Sequence, residues 1–424
     1  MTLQRVGVVA DDLTGAADAT LAFWQHGFAT FILLDGKDDT FLQENAVVTI
    51  DTDSRHVSPQ ESATRVTAAV RRLRAMGMRT LYKKIDSTLR GNPGAEIEAM
   101  MRATNISHAI ICPAFPVMGR TVVDGRVLVK GIDLMQTPAA SDPRSPVTSS
   151  RIAEILARQT ALPIEELARP DALLAAESKQ TDMHITVVDA QTDEDMLGWI
   201  RRFGVGPDVL WVGSAGLAEM IAGEVRREYP SNQAASISPS LQRGKKPVLV
   251  VVGSINAASR EQITALCTSS DITAFPVDPT QLVLGTLDVE PLAHRVSQQL
   301  RAGHHCTLYT EHSPAVLTCL RNVLEELQYS YEYGGGLIAQ SLSKIVAAIL
   351  SAVSQPVDLV LTGGDTARPI LAQLEIPTLR VIRMVAPGTP ISETLDGTRQ
   401  IVTKAGGFGY PEILLHAVQA LTTW

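Results

Sequence analysis

Acidic residues directly after an apolar run form the first candidate site. Asp11 and Asp12 follow the run Val6–Ala10, and a helix-forming segment with Gly15 at its start comes next. This order predicts a buried strand, a tight loop and a helix with Thr14 as its N-cap. Ligands collect at the carboxyl ends of strands in open α/β sheets, which is where we expect the two carboxylates. Two acids in a loop more often only cap and solvate a turn, so this pair does not define a site by itself.

Cations and hydroxyl groups end two further predicted strands in the first half. One segment runs from Asp51 to Arg55, and the other runs from Tyr82 through two lysines to Asn92. Their candidate ligand-binding residues are Arg55, Lys83, Lys84, Asp86, Ser87 and Arg90. Arginine and lysine suit a carboxylate, which arginine can bind through two parallel hydrogen bonds, whereas aspartate and serine suit sugar hydroxyls. Any one of these residues alone is more commonly a solvated loop charge.

Glycine-containing turns between a strand and a helix occur three times in the second half. The turns are Gly253-Ser254-Ile255-Asn256, Thr362-Gly363-Gly364-Asp365-Thr366 and Ala405-Gly406-Gly407-Phe408-Gly409. Glycine lets the backbone approach a ligand closely, and the helix N-terminus behind it offers unpaired N–H groups and a partial positive charge. One such turn is weak support, because tight turns need glycine for steric reasons alone. Three in one half favour a phosphate-rich ligand.

Two common types of phosphate-binding site are excluded by motifs that this chain lacks. It contains neither G-x-x-x-x-G-K-[ST] nor G-x-G-x-x-G after a strand, so we expect neither a P-loop nor an ordinary dinucleotide-binding domain. Asp365 lies within one of the glycine turns, and a carboxylate repels phosphates unless a magnesium ion lies between them. Capping of the following helix is an equally good interpretation of Asp365.

Alternating strand and helix patterns in both halves must position these residues. They predict an α/β protein with two three-layer α/β domains, largely parallel sheets and a cleft between them. A chain of 424 residues is too long for one ordinary core, and Tyr229–Gly244 is rich in turn-forming residues with little periodicity. The predicted boundaries are residues 1–230 for the first domain, 231–246 for the linker and 247–424 for the second domain. Gly334–Gly336 is expected to form a flexible connection.

The bulk composition argues against several classes of partner. Net charge is -8 without a lysine-rich or arginine-rich run, which disfavours nucleic acid and anionic membranes. The four cysteines show no C-x-x-C pairing, and we expect them to be reduced thiols of a cytoplasmic protein. We recognise neither a signal peptide nor an apolar run approaching the length of a membrane span. An anionic small substrate remains compatible with this charge, because it needs only a local cluster of cations.

Taken in order, these motifs resemble the four-carbon acid sugar kinase family. The shared segments are Ala10-Asp11-Asp12-Leu13-Thr14-Gly15-Ala16, Lys83-Lys84-Ile85-Asp86-Ser87-Thr88-Leu89-Arg90-Gly91-Asn92, Gly213-Ser214-Ala215-Gly216-Leu217, Gly253-Ser254, Thr362-Gly363-Gly364-Asp365-Thr366 and Thr403-Lys404-Ala405-Gly406-Gly407-Phe408-Gly409. They span nearly the whole chain in the family's order. The resemblance implies a sugar-acid-binding first domain, a nucleotide-binding second domain and ATP-dependent phosphorylation of acids such as threonate, erythronate and 3-oxo-tetronate. Ser141-Asp142-Pro143 and Ser149–Ile155 are most similar to the D-threonate kinase branch, whereas Ala17 departs from the asparagine that related sequences often carry.

The resemblance also implies roles for the candidate residues. Arg55 with Lys83 or Lys84 would hold the carboxylate of the acid, while Asp12 and Asp86 would bind its hydroxyls. One of these two aspartates, preferably Asp12, would act as the catalytic base for the attacking 4-hydroxyl. The full acid-binding set would be Asp12, Arg55, Lys83, Lys84, Asp86, Ser87 and Arg90. The ATP-binding set would be Ser254, Gly363, Gly364, Asp365, Thr366, Gly406 and Gly407, with Asp365 as the candidate Mg²⁺ ligand.

Alternative functions stay open at this point. Within the kinase class, the acid could instead be erythronate, L-threonate or 3-oxo-tetronate. A nicotinamide-dependent sugar-acid dehydrogenase is disfavoured by the missing G-x-G-x-x-G, and a non-catalytic sugar-acid receptor is disfavoured by the missing signal peptide and the three glycine turns. The expected partners are small molecules, ATP and a four-carbon acid, and a homodimer is compatible with the sequence.

Overall fold

The computed structural model describes residues 5–35, 46–142, 144–171, 183–228, 245–254 and 256–423. The chain divides into two compact units, Met1–Leu33 with Lys37–Ala235 and Leu34–Gly36 with Ser236–Trp424. The predicted linker, residues 231–246, lies outside the described residues except at its last two positions. No pattern in the sequence predicts that Leu34–Gly36 groups with the second unit.

The first unit contains a parallel sheet flanked by helices. Its strands are β1 (Val6–Ala10), β2 (Ala29–Leu33), β3 (Ala46–Asp51), β4 (Thr80–Lys84), β5 (His108–Cys112), β6 (Arg120–Val123), β7 (Arg126–Val129), β8 (Ile132–Asp133), β9 (Ile164–Leu167), β10 (His184–Val188) and β11 (Val209–Gly213). Its helices are α1 (Leu13–Gln25), α2 (Pro59–Ala75), α3 (Pro93–Thr104), α4 (Ile152–Ala157), α5 (Asp193–Phe203) and α6 (Ala215–Glu228). The strand order is β2-β3-β1-β4-β11-β5-β10-β9, with parallel pairing throughout, while β6, β7 and β8 form a separate antiparallel sheet.

The central strands of this sheet are covered on both faces. Every residue of β1, β3 and β4 is buried. Strand β1 is a continuous apolar run, whereas β4 buries Lys83 and Lys84 at its end. Helix α1 packs on α6, and α2 packs on α3. Burial of both faces is what helical crossovers produce in a parallel sheet, so the predicted three-layer organisation is observed in this unit.

The second unit has a mixed sheet. Its strands are β12 (Val248–Val252), β13 (Ile272–Val277), β14 (His305–Thr310), β15 (Asp358–Thr362), β16 (Thr378–Ala386), β17 (Thr389–Thr394) and β18 (Gln400–Lys404). Its helices are α7 (Ala257–Cys267), α8 (Pro279–Leu284), α9 (Val289–Arg301), α10 (Pro314–Glu326), α11 (Tyr331–Ser351), α12 (Gly364–Gln373) and α13 (Ile413–Thr422). The order is β13-β14-β12-β15-β18-β17-β16. Among these described strands β17 alone runs against the others, because it pairs antiparallel with both β18 and β16 while the remaining pairs are parallel. The predicted α/β class with largely parallel sheets is confirmed.

Helix α11 corrects two expectations from the sequence. Gly334–Gly336 lies inside its first two turns instead of forming a flexible connection. The helix is 21 residues long and apolar enough by composition to cross a membrane, although half of its most apolar window is buried within the protein. Contacts with α8, α9 and α12 account for this burial and explain the apolar composition as that of a core helix.

Candidate active site

The predicted acid-binding residues lie at the carboxyl ends of three neighbouring strands. Strand β1 pairs in parallel with β3 on one side and with β4 on the other, and Ala10 is opposite both Asp51 and Lys84. Because parallel strands end at the same edge, the segments that follow Ala10, Asp51 and Lys84 leave the sheet side by side. Asp12, Arg55 and the lysines of β4, which are far apart in sequence, therefore belong to one cluster.

Asp12, not Thr14, is the N-cap of α1, which corrects the sequence prediction. The helix begins at Leu13, Asp12 Oδ1 accepts the amide of Gly15 at 2.8 Å, and Oδ2 accepts the hydroxyl of Thr14 at 2.6 Å. Arg55 Nη1 and Nη2 donate to the same carboxylate at 2.9 and 2.7 Å. A carboxylate offers about four lone-pair positions, so those of Asp12 are filled. A ligand hydroxyl has to replace one donor, and the hydroxyl of Thr14 is the one that turns away most easily.

Arg55 binds both carboxylates of the pair. Its Nε and Nη2 donate to Asp11 at 2.6 and 2.9 Å, in addition to the contacts with Asp12. Burial raises the pKa of Asp11, but the charge and hydrogen bonds of Arg55 outweigh burial and lower it. Four of the five guanidinium N–H groups are thus used within the described residues, leaving one on Nη1. The predicted contact of Arg55 with the acid is restricted to that single donor, and its larger role is to fix the two aspartates.

Lys83 lies in the core rather than at the edge of the site. Its side chain is fully buried, and Nζ forms an ion pair of 2.7 Å with Glu96, which is also buried. The carbonyls of Lys84 and Val9 accept the other two ammonium hydrogens at 2.9 and 3.4 Å. An ammonium group has three hydrogens, and all three are used. This geometry argues against Lys83 as a contact of the acid.

Lys84 is the cation with donors to spare. Its Nζ donates to the carbonyl of Ile85 at 2.9 Å, the one acceptor found for it among the described residues. A Cβ atom on Gly15 would lie 2.9 Å from this Nζ and 2.6 Å from Asp12 Oδ1. Glycine at position 15 therefore lets the ammonium and the carboxylate approach the start of α1 together. Of the two lysines that the sequence left open, Lys84 is the one that can bind an anion.

Asp18 is an acidic residue near this cluster that sequence reasoning missed. It lies half-buried in α1. Burial raises the pKa of Asp18 to about 6, Lys84 opposes the rise, and Asp12 adds to it. The sequence does hold one indication that Asp18 is functional. It lies among alanines, in Ala16-Ala17-Asp18-Ala19, and a lone carboxylate on a helix face of small apolar residues is unusual.

Asp86 and Arg90 form a second ion pair beside the first. Arg90 Nε and Nη2 donate to the Asp86 carboxylate at 2.9 and 3.0 Å, and the hydroxyl of Thr88 donates to it as well. Burial favours a raised pKa for Asp86, but Arg90 and Arg55 outweigh burial and hold it well below its usual range. Arg90 Nη1 also donates to Asp142 at 3.0 Å. The same arginine thus anchors the Asp142 segment, which carries the resemblance to one branch of the family.

Ser87 lies half-buried in the loop between Asp86 and Arg90. Every residue of the predicted acid-binding set except Lys83 therefore has its side chain at or next to the edge formed by β3, β1 and β4.

The three glycine turns of the second unit also lie side by side. Their strands are neighbours in the order β12-β15-β18, and all pair in parallel. A Cβ atom on Gly253 would collide with the hydroxyl of Thr366, and one on Gly406 would lie 3.4 Å from Ser254 Oγ. The first turn therefore contacts both others, and glycine permits each approach. Gly363, the N-cap of α12, has a left-handed φ of 89°, which a side chain would strain.

Asp365 lies in the first turn of α12 and is exposed. Gly363, and not Asp365, is the N-cap of α12, and Asp365 is the acidic residue of the first turn. An exposed carboxylate beside a phosphate-type turn is the oxygen ligand that Mg²⁺ prefers, so the residue fits the predicted metal role chemically.

Each of the two units matches the model of a known domain family. A family model described as a sugar-binding N-terminal domain matches residues 6–221, and one described as a nucleotide-binding C-terminal domain matches residues 249–414. A D-threonate kinase of Bordetella bronchiseptica is 34% identical over 98% of this chain and 97% of its own length. This chain belongs to the four-carbon acid sugar kinase family. The resemblance seen in the sequence is thereby confirmed.

Other members of this kinase family cover the chain equally well. A D-threonate kinase of Salmonella typhimurium is 32% identical over 97% of both chains, and a D-erythronate kinase of Heliobacterium modesticaldum is 30% identical over 99% of this chain and 98% of its own. A crystal structure from Salmonella typhimurium LT2 superposes with a TM-score of 0.77 at 22% identity, covering 97% of this chain and 98% of that one. At that identity the structural likeness establishes the shared fold.

Proposed function

We propose that this protein transfers the γ-phosphoryl group of ATP to the terminal 4-hydroxyl of a four-carbon sugar acid, with D-threonate as the preferred acid. The observation that carries the proposal is similarity along the full chain to D-threonate kinases at 32–34% identity. The relatives named D-erythronate kinase and 3-oxo-tetronate kinase are 30% and 27% identical, which ranks these acids second and third.

On the acid side, Lys84 is the residue we assign to the carboxylate. It is the cation of the cluster whose ammonium keeps unused donors, while Arg55 adds one N–H group from Nη1. Charge-assisted hydrogen bonds of this kind are the strong ones, so two of them suffice to orient a small acid. Ser87 is suited to its hydroxyls, as is Asp86 Oδ1, which accepts one hydrogen bond among the described residues, from Arg90 Nη2.

Asp12 is the better base of the two aspartates. Asp86 is held by Arg90 in a bidentate ion pair and has a pKa well below its usual range, so it retains a proton poorly. A weakly basic group is an inefficient general base near neutral pH. Asp12 can take the proton of the 4-hydroxyl once the hydroxyl of Thr14 turns away from its Oδ2.

On the nucleotide side, the three turns around Ser254, Gly363–Thr366 and Gly406-Gly407 would bind the phosphates of ATP. Magnesium held near Asp365 would neutralise them when bound. The chain itself supplies backbone N–H groups and the positive ends of α7 and α12. A homodimer and a cytoplasmic location remain predictions from the sequence; light scattering and cell fractionation test them.

The proposal is tested by incubating the protein with ATP, magnesium and each of D-threonate, L-threonate, D-erythronate and 3-oxo-tetronate. We expect ADP release with the highest kcat/KM for D-threonate and, by mass spectrometry and NMR, a phosphate on its C4 oxygen. A parallel series with NAD instead of ATP checks for NADH. Preference for another of the acids changes the substrate alone, whereas absence of ADP release with all four acids refutes the proposed kinase activity.

A further inference from the structure

A buried lysine lies directly behind the third glycine turn. Lys404, the last residue of β18, is 1% exposed. Its Nζ donates to the backbone carbonyls of Ala405, Gly406 and Phe408 at 2.7, 3.2 and 2.8 Å. These three contacts use all its ammonium hydrogens, and no carboxylate of the described residues forms an ion pair with it. Burying a cation without an anionic partner costs free energy, so we asked what a lysine contributes at this position.

The orientation of the turn follows from these contacts. In a planar trans peptide unit the C=O and the N–H point in opposite directions. When the carbonyls of residues 405, 406 and 408 face the ammonium, the amides of Gly406, Gly407 and Gly409 in the same peptide units face away from it. No acceptor for these three amides is found in the part of the chain that the structure describes. Successive N–H groups that face outward form a concave anion-binding array.

Helix α7 supports the same orientation from the other side. Ser259 Oγ donates to the carbonyl of Gly406 at 3.2 Å, and Gln262 Nε2 donates to the carbonyl of Phe408 at 2.9 Å. Gly407 is exposed, and no atom would lie within 4 Å of a Cβ placed on it. The carbonyls are thus held inward by donors from two elements, and the face with the amides is open to a ligand.

We propose that Lys404 is a positioning residue for the nucleotide: its ammonium holds the turn 405–409 so that the amides of Gly406, Gly407 and Gly409 bind a phosphate of ATP. Lys404 does not touch the nucleotide; it acts through the turn, and its positive charge behind the amides adds to their attraction for the anion. Burial lowers the pKa of Lys404 to about 8, so the ammonium form that makes these contacts predominates at neutral pH. This inference rests on the proposed nucleotide binding.

The test compares Lys404→Met with Lys246→Met as a matched control. Lys246 also donates to a backbone carbonyl, that of Thr398 at 2.6 Å, but away from the glycine turns. For Lys404→Met we expect Kd and KM for ATP-magnesium to rise about tenfold or more, because the carbonyls of the turn lose the cation that holds them inward and the amides no longer face the phosphate together. We expect KM for the acid to stay within about twofold. For Lys246→Met we expect wild-type values for both substrates.

The outcomes separate this inference from the proposed function. Wild-type protein that binds no ATP-magnesium refutes nucleotide binding itself, and with it this role. Wild-type binding that persists unchanged in folded Lys404→Met overturns the inference alone, as does an equal rise of KM for both substrates.

A second measurement does not depend on how the variant folds. Hydrogen exchange of the wild-type amides in the turn 405–409 should slow at least about tenfold at saturating ATP-magnesium. Unchanged exchange at saturation also overturns the inference.

Discussion

The contrast between Lys83 and Lys84 gives the sharpest test of the site, because the two neighbours are assigned opposite roles. Lys83 is fully buried and pairs with Glu96, whereas Lys84 faces the start of α1 with unused donors. Lys83→Met leaves the Glu96 carboxylate buried without its cation. We therefore expect Lys83→Met to reduce folding stability and Lys84→Met to reduce binding of the acid.

The expected loss of stability in Lys83→Met follows from the surroundings of the Lys83–Glu96 ion pair. Glu96 retains hydrogen bonds from Ser54 and Ser62 at 2.5 and 2.8 Å, so its charge is not left wholly unsolvated. Removing one partner of a buried ion pair costs about 3–5 kcal/mol. For a unit of this size, 1 kcal/mol lowers Tm by about 2–4 °C, so Lys83→Met should lower Tm by roughly 6–20 °C. Lys84→Met loses one carbonyl contact, worth about 1 kcal/mol, and should raise KM for the acid about tenfold or more.

Differential scanning calorimetry and steady-state kinetics on both variants provide the measurement, with a double-mutant cycle as control. In Lys83→Met/Glu96→Gln neither charge remains, so its stability loss should be smaller than the sum of the single losses by about 2 kcal/mol or more. Additive losses would show that the ion pair is not the source of the effect. A Lys83→Met protein of wild-type Tm with a raised KM for the acid would refute the assignment of the two lysines.

Three further predictions concern the base, the metal and pH. Asp12→Asn should lower kcat by about two to four orders of magnitude with acid binding mostly retained, and near-normal turnover combined with a loss in Asp86→Asn would move the base to Asp86. Asp365→Asn should raise KM for ATP-magnesium more than KM for the acid, with partial recovery at high magnesium; a deficit that a magnesium titration leaves unchanged contradicts the metal role. Burial, reinforced by His184, lowers the pKa of His108 to about 4 from 6.5, so the unfolded chain binds this proton first. Stability should fall as pH drops from about 6.5 towards 4, by about 1–3 kcal/mol, and urea unfolding of His108→Asn should show a smaller fall over that window.

The sequence by itself determined the fold class, both sets of turns and the family. Strand and helix periodicity is a local property, and the glycines and acids that end each strand are local as well. Asp12, Arg55 and Asp86 could therefore be placed at strand ends, and parallel pairing predicted that those ends meet. The motif order along the chain identified the family, which the matches over residues 6–221 and 249–414 confirm.

Only the tertiary structure decided which of these side chains are available to a ligand. Lys83 and Lys84 alternate across one strand, so one points into the core and the other towards α1, and no local pattern states which. Arg55 forms ion pairs with Asp11 and Asp12 only because folding brings their chain segments together. Likewise, the carbonyls of its own turn surround Lys404 only in the folded chain. Gly334–Gly336 became helical because burial of α11 outweighs the low helix propensity of glycine. Ion pairing and burial are properties of the packed molecule. The sequence shows which charged side chains are present, but it does not show which of them pair with one another.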